Sequence, residues 1–260
     1  MLGKITYNTH KENQYVTASN LKSDPRVKNV LLLGVDARPK DKASASRSDT
    51  MMLISVDSVH HTIKMTSFLR DTWVYIPCKD MSQRLNAACQ YGGYSGVVDT
   101  IEYNFGVKID NYVVADFEMF QVLVDAIGGV DVYSDQAFTS VGSPGYYDPT
   151  TFAEGWNHLD GKAALAFARE RHAFKTGDIQ RGINQMKVID AMMNKIKSPT
   201  VLMSFSKLMD AVSDCFVTSL SQEQISALVR MQLASLSDWD IQSYACLLYT
   251  SPSPRDYAAS

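Results

Sequence analysis

The sequence lacks the long apolar runs that cross a lipid bilayer. No stretch of its 260 residues approaches the roughly twenty consecutive apolar residues of a transmembrane helix, and the opening segment MLGKITYNTHKENQ has no hydrophobic centre. The sequence as given therefore predicts neither a transmembrane helix nor a signal peptide. Hydrophobic residues make up 45% and charged residues 20% of the chain, a balance that argues against disorder and predicts one main domain with a sizeable core.

Cysteine is scarce, and its spacing is that of neither a zinc site nor a disulfide framework. The four cysteines, Cys78, Cys89, Cys215 and Cys246, form no CxxC pair and accompany no histidine cluster. A chain of this length also has less need of the disulfides that stabilise small secreted domains. One alternative stays open, a single bridge between Cys78 and Cys89.

An excess of positive charge is also absent. The formal net charge is -3, and no helix-turn-helix pattern with a basic face occurs in the sequence. Both absences argue against a nucleic-acid partner, and against a transcription regulator in particular.

Hydrophobic patterning predicts strands that alternate with helices. Short runs rich in β-branched and aromatic residues predict strands at Val30–Val35, Met51–Val56, Thr62–Leu69, Tyr112–Ala115, Val130–Tyr133 and Asp240–Ala245. Amphipathic periodicity and end signals predict helices at Asp116–Ile127, Gly161–Ala168, Ile179–Lys197, Leu202–Val212 and Ser221–Leu236. This order indicates an α/β (α+β layered) fold, with a central mixed β-sheet flanked by helices and a small C-terminal helical extension.

Arginine and aspartate concentrate where predicted strands end or helices begin, which is where α/β folds assemble ligand sites. Asp36 and Arg38 follow the first strand, and Arg47 and Asp49 precede the second. Residues two apart point to the same side of an extended chain, so Asp36 and Arg38 are expected to share a site. Two aspartates without His or Cys suit magnesium, although either aspartate alone is more typical of a turn or a helix cap.

Further clusters add cations to the same region. Arg70 and Asp71 end the third predicted strand, and Arg84 and Asn86 precede a helix. Several arginine forks suit a pyrophosphate, because each guanidinium holds two phosphate oxygens. The alternative is a set of solvated Arg–Asp ion pairs on the surface, each of which would contribute about 0–1 kcal/mol to the stability of the fold.

Two arginines at the end of the predicted helix Gly161–Ala168 can reach one site only under a geometric condition. Arg169 and Arg171 would diverge by about 200° on a helix, so they converge only if that helix ends near Ala168. Arg181 and Gln185, one turn apart on the next helix, share a face and are expected to join the same site.

In their order and spacing, these clusters resemble the signature of the LytR-CpsA-Psr family, through NVLLLGVDAR, RSDTMMLISVD, SFLRDTWVYIP, RLNAACQYGG, GWNHLDGKAALAFARERH and DIQRGINQ. The resemblance runs from about Asn29 to Lys197. It implies a membrane-anchored bacterial enzyme on the extracellular face of the cell membrane. Its implied reaction is a phosphotransferase step of cell-wall biogenesis, which moves a teichoic acid, a capsular or a similar polysaccharide from a polyprenyl-pyrophosphate carrier to peptidoglycan.

The resemblance also divides the chain. Residues 1–28 are expected to be a juxtamembrane or linker segment whose anchor is missing, 29–198 the catalytic domain, and 199–245 a truncated helical extension. Residues 246–260 change composition abruptly and resemble a translated adapter sequence, so they are expected to be a non-native tail.

Motif positions imply roles for individual residues. A magnesium ion, or manganese in its place, would be held by Asp36 and Asp49. The pyrophosphate would be bound by Arg70, Arg84, Arg169, Arg171, Arg181, Gln185, Arg38 and Arg47. The implied catalytic residues are Asp36, Asp71 and Arg70, with one of the two aspartates accepting the proton of the attacking hydroxyl. The lipid is expected to enter an apolar tunnel beside the helix Phe117–Ile127.

Two positions depart from the family pattern. Asn184 stands where the family often has arginine, which predicts weaker phosphate binding, and Leu69 stands where it often has proline. Two other functions stay open. A sensor module would bind polyprenyl pyrophosphate without turnover, although the presence of both metal carboxylates argues against it, and a hydrolase would use the same residues with water as the acceptor.

Overall fold

The computed structural model describes residues 6–8, 12–35, 48–196, 216–235 and 239–246. Their strands, in chain order, are β1 (Thr6–Tyr7), β2 (Val27–Val35), β3 (Ser48–Asp57), β4 (Thr62–Phe68), β5 (Trp73–Ile76), β6 (Met81–Arg84), β7 (Asn111–Asp116), β8 (Val130–Ser134), β9 (Phe138–Thr139), β10 (Thr151–Phe152), β11 (Gly155–Leu159), β12 (Phe216–Thr218) and β13 (Asp240–Cys246). Their helices are α1 (Ala87–Phe105), α2 (Phe117–Ala126), α3 (Gly161–Arg169), α4 (Asp178–Ile196) and α5 (Gln222–Ser235), with short 3₁₀ turns at Ala18–Asn20 and Pro77–Lys79.

Seven of these strands form one mixed sheet in the order β1-β12-β7-β2-β3-β4-β13. The central strands β2, β3 and β4 form an antiparallel meander, while β7 joins β2 and β13 joins β4 in parallel. The pairs β5–β6, β8–β11 and β9–β10 form small two-stranded sheets outside it. The predicted α/β layered fold with a central mixed sheet is confirmed.

The period-two alternation of β2 divides its side chains between two layers. Leu31, Leu33 and Val35 are fully buried in a core that also contains the apolar side chains of α1. Leu32 points to the opposite face, where it packs with residues of α4 such as Ile189. A third cluster joins α2 and α5 to β7 on this second face. The sheet therefore lies between α1 on one side and α2, α4 and α5 on the other.

The terminal segments contribute strands to the same sheet. β1 comes from the predicted juxtamembrane segment, and β12 and β13 come from the predicted helical extension. The predicted strand Asp240–Ala245 is confirmed as β13, and the predicted helix Ser221–Leu236 as α5, whereas the predicted helix Leu202–Val212 lies outside the described residues. The division into domains stays a prediction.

Two further sequence-based expectations concern cysteine and the membrane. No disulfide joins Cys78 and Cys89, so the alternative of a bridge between them is wrong for this structure. Among the described helices, none combines the length and the apolar character that crossing a membrane requires.

Close packing between α2 and α3 depends on the absence of a side chain at Gly161. A β-carbon there would overlap the main-chain carbonyl of Gln121, whereas a β-carbon at Gly182 in α4 would lie 3.8 Å from Leu69 Cδ2, an ordinary contact. We expect Gly161→Ala to lower the free energy of unfolding by about 1–3 kcal/mol through overpacking. Gly182→Ala is its matched control and should raise that free energy by about 0.5–1 kcal/mol, because alanine favours the helix. Urea denaturation measures both changes, and equal effects would contradict the close approach.

A carboxylate pair on α1 makes stability depend on pH. Glu102 is buried, and its carboxylate accepts hydrogen bonds from Asn13 Nδ2 at 3.0 Å and from the Ile109 amide at 2.8 Å. Burial, and then the negative charge of Glu102, raises the pKa of Asp99 to about 6. The folded chain therefore holds this proton more tightly than the unfolded chain does. The resulting stabilisation is fully present below the ordinary pKa of 3.8 and is lost as pH rises through about 6.

We expect Asp99→Asn to raise the free energy of unfolding at pH 7.5 by at most about 3 kcal/mol, reduced further by solvent screening, because the charged form is no longer buried. At pH 4 the variant and the wild type should have nearly equal stability. Urea denaturation across this pH range measures the difference, with Asp148→Asn, at an exposed position, as the control. A gain from Asp99→Asn that does not change with pH would count against the raised pKa.

Candidate functional site

A cavity of about 360 Å³ lies between the second face of the sheet and helices α2, α3 and α4. Part of its lining is apolar, with Leu32 on the sheet side and Phe120, Leu165 and Ile189 on the helix side. The helix that was predicted to lie beside the lipid tunnel is α2. Phe120 of α2 lines the cavity, so this helix forms part of the cavity wall. We call this space the arginine cavity after the other part of its lining, which is formed by Arg70, Arg169, Arg171, Arg181 and Gln185.

These five residues come from three separate parts of the chain. Arg70 follows β4, Arg169 and Arg171 lie at the end of α3, and Arg181 and Gln185 lie one turn apart near the start of α4. Arg181 is only 9% exposed, so its guanidinium is largely removed from water. The structure therefore brings together five of the eight residues predicted to bind pyrophosphate, and their role in binding stays a prediction.

The end of α3 satisfies the geometric condition on the two neighbouring arginines. The helix ends at Arg169, and Glu170 has extended dihedral angles of φ -66° and ψ 132°. Glu170 is 3% exposed, and its carboxylate accepts hydrogen bonds from the amides of Val141 at 2.7 Å, His172 at 2.5 Å and Ala173 at 2.9 Å. These bonds fix the direction of the chain between the arginines, so both side chains reach one cavity.

Arg169 is held in place by an aromatic ring and a hydroxyl. Its guanidinium carbon lies 4.1 Å from the centre of the Phe117 ring, and its Nη1 donates to Ser143 Oγ at 2.9 Å. The face of an aromatic ring attracts a cation without neutralising its charge. Arg169 is therefore orientated while its positive charge stays available to an anion.

Arg70 is instead positioned by a chain of ion pairs. Its Nη1 lies 3.1 Å from Asp49 Oδ1 and its Nε lies 3.5 Å from Asp71 Oδ2, while Arg84 Nη1 lies 3.5 Å from Asp71 Oδ1. Asp49 lines the arginine cavity, but Asp71 and Arg84 are not part of its lining. Arg84, with a side chain 52% exposed, therefore contacts Arg70 only through Asp71, which pairs with both arginines. The amide of Asn86 donates to the Arg70 carbonyl at 3.0 Å and supports the same turn.

The predicted metal pair is only partly described. Asp36, Arg38 and Arg47 lie outside the described residues, and Asp49 lies inside them. Within the described part of the chain, no group of three or more His, Cys, Asp or Glu side chains is arranged to hold a metal ion. Magnesium commonly takes one or two carboxylates together with phosphate oxygens, so the Asp49 carboxylate, beside four arginines that suit phosphate, fits its donor chemistry.

Asn184, the departure from the family pattern, has a structural position. It is 1% exposed, donates to the Phe167 carbonyl at 3.3 Å and accepts from Gln180 Nε2 at 3.1 Å. It therefore joins α4 to α3 and does not line the arginine cavity. The weaker phosphate binding expected from this departure stays a prediction.

Sequence reasoning missed several residues that shape the cavity. Glu170 was passed over, although it stands between two predicted arginines, and the segment around Gly142 and Ser143 carried no motif. Asp116 was predicted only as the start of a helix; its side chain accepts a hydrogen bond from the Met119 amide at 2.7 Å, and it also lines the cavity. A position between two site residues was the available signal for Glu170.

A cavity that joins an apolar lining to four arginines, on the helical face of a mixed sheet, has the chemistry that suits an anionic headgroup attached to an apolar chain. The chain belongs to the LytR_cpsA_psr family, whose profile matches residues 3–244. The resemblance found in the sequence motifs is thereby confirmed.

Similar proteins are known by sequence and by structure. The polyisoprenyl-teichoic acid–peptidoglycan teichoic acid transferase TagU of Bacillus mycoides (strain KBAB4) is 37% identical over 213 residues, covering 82% of this chain and 66% of that protein. The chain thus spans about two thirds of the length of the curated relatives that it matches. The crystal structure of Bacillus subtilis TagV has a TM-score of 0.73 and 26% identity, over 88% of this chain and 89% of that one. A structure of TagT bound to LIIa-WTA has a TM-score of 0.71 and 26% identity, over 96% and 90%.

The buried carboxylate of Glu170 yields a prediction that separates positioning from binding. Glu170→Gln keeps the size but removes the charge that strengthens three hydrogen bonds, so we expect the free energy of unfolding to fall by about 2–3 kcal/mol. We also expect weaker binding of inorganic pyrophosphate, because Arg169 and Arg171 lose their fixed directions. Denaturation and calorimetric titration measure the two effects, and Glu154→Gln, at an exposed position, is the control. Unchanged pyrophosphate affinity would mean that Glu170 does not position the arginines.

Proposed function

We propose that the chain is the catalytic part of a phosphotransferase that moves a glycopolymer, such as a teichoic acid or a capsular polysaccharide, from a polyprenyl-pyrophosphate carrier to peptidoglycan. The observation that carries the proposal is a single cavity that combines four arginines with an apolar lining. Such a cavity suits both halves of a lipid pyrophosphate. The name of the TagU relative, which includes a polyisoprenyl-linked teichoic acid and peptidoglycan, supports the same reaction.

The arginines would bind the pyrophosphate. Its negative charges need several hydrogen-bond donors once they leave water, and arginine supplies paired donors that match phosphate oxygens. Arg169 is orientated before the substrate arrives, by Phe117 and Ser143. Because little reorganisation is then needed, such donors stabilise the charge that develops on a transferring phosphoryl group.

The apolar side of the cavity would take the start of the polyprenyl chain. Leu32, Phe120, Leu165 and Ile189 offer hydrocarbon contacts next to the arginines, so the lipid and its headgroup would occupy adjoining parts of one space. This arrangement fixes which end of the carrier lies at the arginines. The carrier is a membrane lipid, and the proposal therefore includes work at the outer face of the cell membrane.

In the proposed reaction, a hydroxyl oxygen of peptidoglycan forms a bond to the phosphorus that carries the glycopolymer. The bond from that phosphorus to the bridging oxygen breaks, polyprenyl phosphate leaves, and the hydroxyl proton passes to a carboxylate. The sequence predicted Asp36 or Asp71 for this proton. Because Asp71 is engaged by Arg70 and Arg84 outside the cavity lining, we assign it to positioning Arg70. Asp36, outside the described residues, stays the predicted acceptor.

Magnesium dependence is a further part of the proposal. Asp49, together with the predicted Asp36, would hold the ion, and manganese takes similar oxygen ligands. When bound, the ion supplies positive charge that neutralises the phosphates. The contact between Asp49 and Arg70 places this carboxylate next to a residue proposed to bind the same phosphates.

The test combines two substitutions in one transfer assay with a labelled polyprenyl-pyrophosphate oligosaccharide, peptidoglycan fragments and mass analysis of products. Arg169→Ala should weaken polyprenyl phosphate binding by more than about tenfold and lower transfer at least as much, because a desolvated charge contact is lost. Asp49→Asn should abolish magnesium-dependent transfer but leave lipid binding largely intact, because the arginines supply it. The exposed Arg26→Ala is the control.

Each outcome distinguishes one part of the proposal. Transfer at the wild-type rate by the Asp49 variant would refute the metal assignment alone. Wild-type affinity in the Arg169 variant would refute the phosphate site. Release of the oligosaccharide phosphate to water, with no peptidoglycan product, would identify a hydrolase, and binding without any turnover would identify a sensor module.

A further inference from the structure

Two exposed aromatic rings lie side by side on the two-stranded sheet of β8 and β11. In its antiparallel register, Trp156 is opposite Tyr133, and His158 is opposite Asp131. Trp156 is 74% exposed and Tyr133 is 45% exposed, and their rings pack edge to face at 5.6 Å between centres. In that geometry at least one face of the Trp156 indole is not covered by Tyr133. We call these four residues the aromatic platform.

The exposure of the aromatic platform follows from the packing of its strands. Val130 and Val132 of β8 and Leu159 of β11 are buried in a core shared with α3 and α4. Successive side chains of a strand point to opposite faces, so the four platform residues point away from that core. Adjacent exposed rings on a sheet that is anchored in this way are typical of a binding surface.

The charged groups around the two rings are paired with one another. His158 Nδ1 lies 2.8 Å from Asp131 Oδ1, and Lys187 Nζ lies 2.6 Å from Asp135 Oδ2. Lys187 also donates to the Tyr133 carbonyl at 3.2 Å and so fixes the strand that carries this ring. The charges described here do not sum to a positive charge, which disfavours an anionic ligand or a membrane of anionic lipids.

The small area of the platform disfavours a protein partner. Two aromatic side chains bury at most about 500 Å² together, whereas a stable protein interface buries roughly 800 Å² on each partner. A sugar needs less. The C–H groups on one face of a sugar ring pack against the negative face of an indole, and its hydroxyls bond to carboxylate and imidazole groups. The chemistry of the platform therefore fits an uncharged glycan.

Helix α4 separates the aromatic platform from the arginine cavity. Gln185 lines that cavity, whereas Lys187, two residues further along α4, contacts the Tyr133 carbonyl. Residues two apart on a helix point in nearly opposite directions, and a helix with its side chains is about 10–12 Å across. One sugar unit is too short to contact both places, but a polymer can reach from one to the other.

We propose that the aromatic platform binds an uncharged stretch of the peptidoglycan glycan strand, away from the point of transfer. The inference rests on the proposed transfer reaction and adds a second contact for its acceptor. The Trp156 indole stacks on a sugar ring, and His158 and Asp131 hydrogen-bond to its hydroxyls. This contact raises the local concentration of acceptor hydroxyls at the arginine cavity. A teichoic acid, with phosphates along its length, is the less suitable occupant.

The first measurement is binding of chitotetraose, an uncharged N-acetylhexosamine oligomer, to the ¹⁵N-labelled protein. We expect it to shift the indole N–H signal of Trp156, one of three tryptophans in the chain, and a glycerol phosphate oligomer to leave that signal unchanged. Trp156→Ala should weaken chitotetraose binding by at least about fivefold, because ring stacking is lost. Trp156→Phe keeps a ring and should retain most of the affinity.

Tyr103→Ala is the matched control, because Tyr103 on α1 is as exposed as Tyr133 but lies outside the platform. It should bind chitotetraose as the wild type does. Since Trp156 is largely in solvent, Trp156→Ala should also keep the wild-type unfolding midpoint in urea. A loss of affinity can then be assigned to the missing ring and not to misfolding.

The second measurement is transfer kinetics with acceptors of two lengths. Trp156→Ala should raise the KM for long glycan strands by about fivefold, because only these reach the platform. The KM for a disaccharide acceptor and the KM for the lipid donor should stay unchanged. An equal rise for both acceptor lengths would contradict a contact away from the point of transfer.

The outcomes separate the platform from the proposed reaction. Absence of chitotetraose binding, or equal binding by Trp156→Ala, would overturn the sugar site. Trp156-dependent binding to phosphatidylglycerol vesicles without sugar binding would identify a membrane surface instead, and Trp156-dependent dimers would identify a contact between copies. If chitotetraose binds at Trp156 but no protein form transfers a glycopolymer, the sugar site stands and the proposed reaction fails. If transfer proceeds with an unchanged KM for long strands, the reaction stands and the acceptor contact fails.

Discussion

The arrangement of the site depends on holding four guanidinium groups around one cavity without neutralising all of them. Like charges repel more strongly near an apolar lining than in water, so each cation needs a fixed partner. The protein uses two kinds. Arg70 has carboxylates on both sides, whereas Arg169 has an aromatic ring and a hydroxyl, which orientate it and leave its charge in place. The uncancelled charge is what an anionic ligand would meet.

The sheet supplies the rigid base for that arrangement. β2 is the fourth strand of the seven-stranded sheet, and its side chains point alternately into the apolar core and toward the arginine cavity. At its end the backbone comes close to β3, since a β-carbon at Gly34 would lie 2.9 Å from Thr50 Cβ. Glycine is thus required where the strand passes under the cavity. The register also shifts between Gly34 and Val35, which changes the direction of the chain as it leaves the sheet.

Local signals in the sequence were sufficient for the approximate bounds of the central strands and of four of the five described helices. For α1 the sequence predicted only that a helix follows Arg84 and Asn86, because Gly92, Gly93 and Gly96 weaken the helical pattern, and Gly93 interrupts it with φ 63°. Contacts between distant parts of the chain had no such signal. The ion pair from Arg70 to Asp49, the bonds from Glu170 to the Val141 segment and the bridge made by Asn184 all depend on tertiary packing. The family motifs identified residues that lie together in the structure, but not the tertiary contacts that hold them in position.

The position of β13 in the sheet has a consequence for how the chain reaches its folded state. It pairs in parallel with β4, although nearly the whole domain separates the two strands in sequence. Closing so long a loop carries an entropic cost before any contact compensates it, and such topologies fold slowly. Until β13 arrives, the β4 edge presents unpaired amides and carbonyls to solvent. An emerging chain with that open edge is exposed to pairing with its neighbours, which makes the interval before closure the period of greatest aggregation risk.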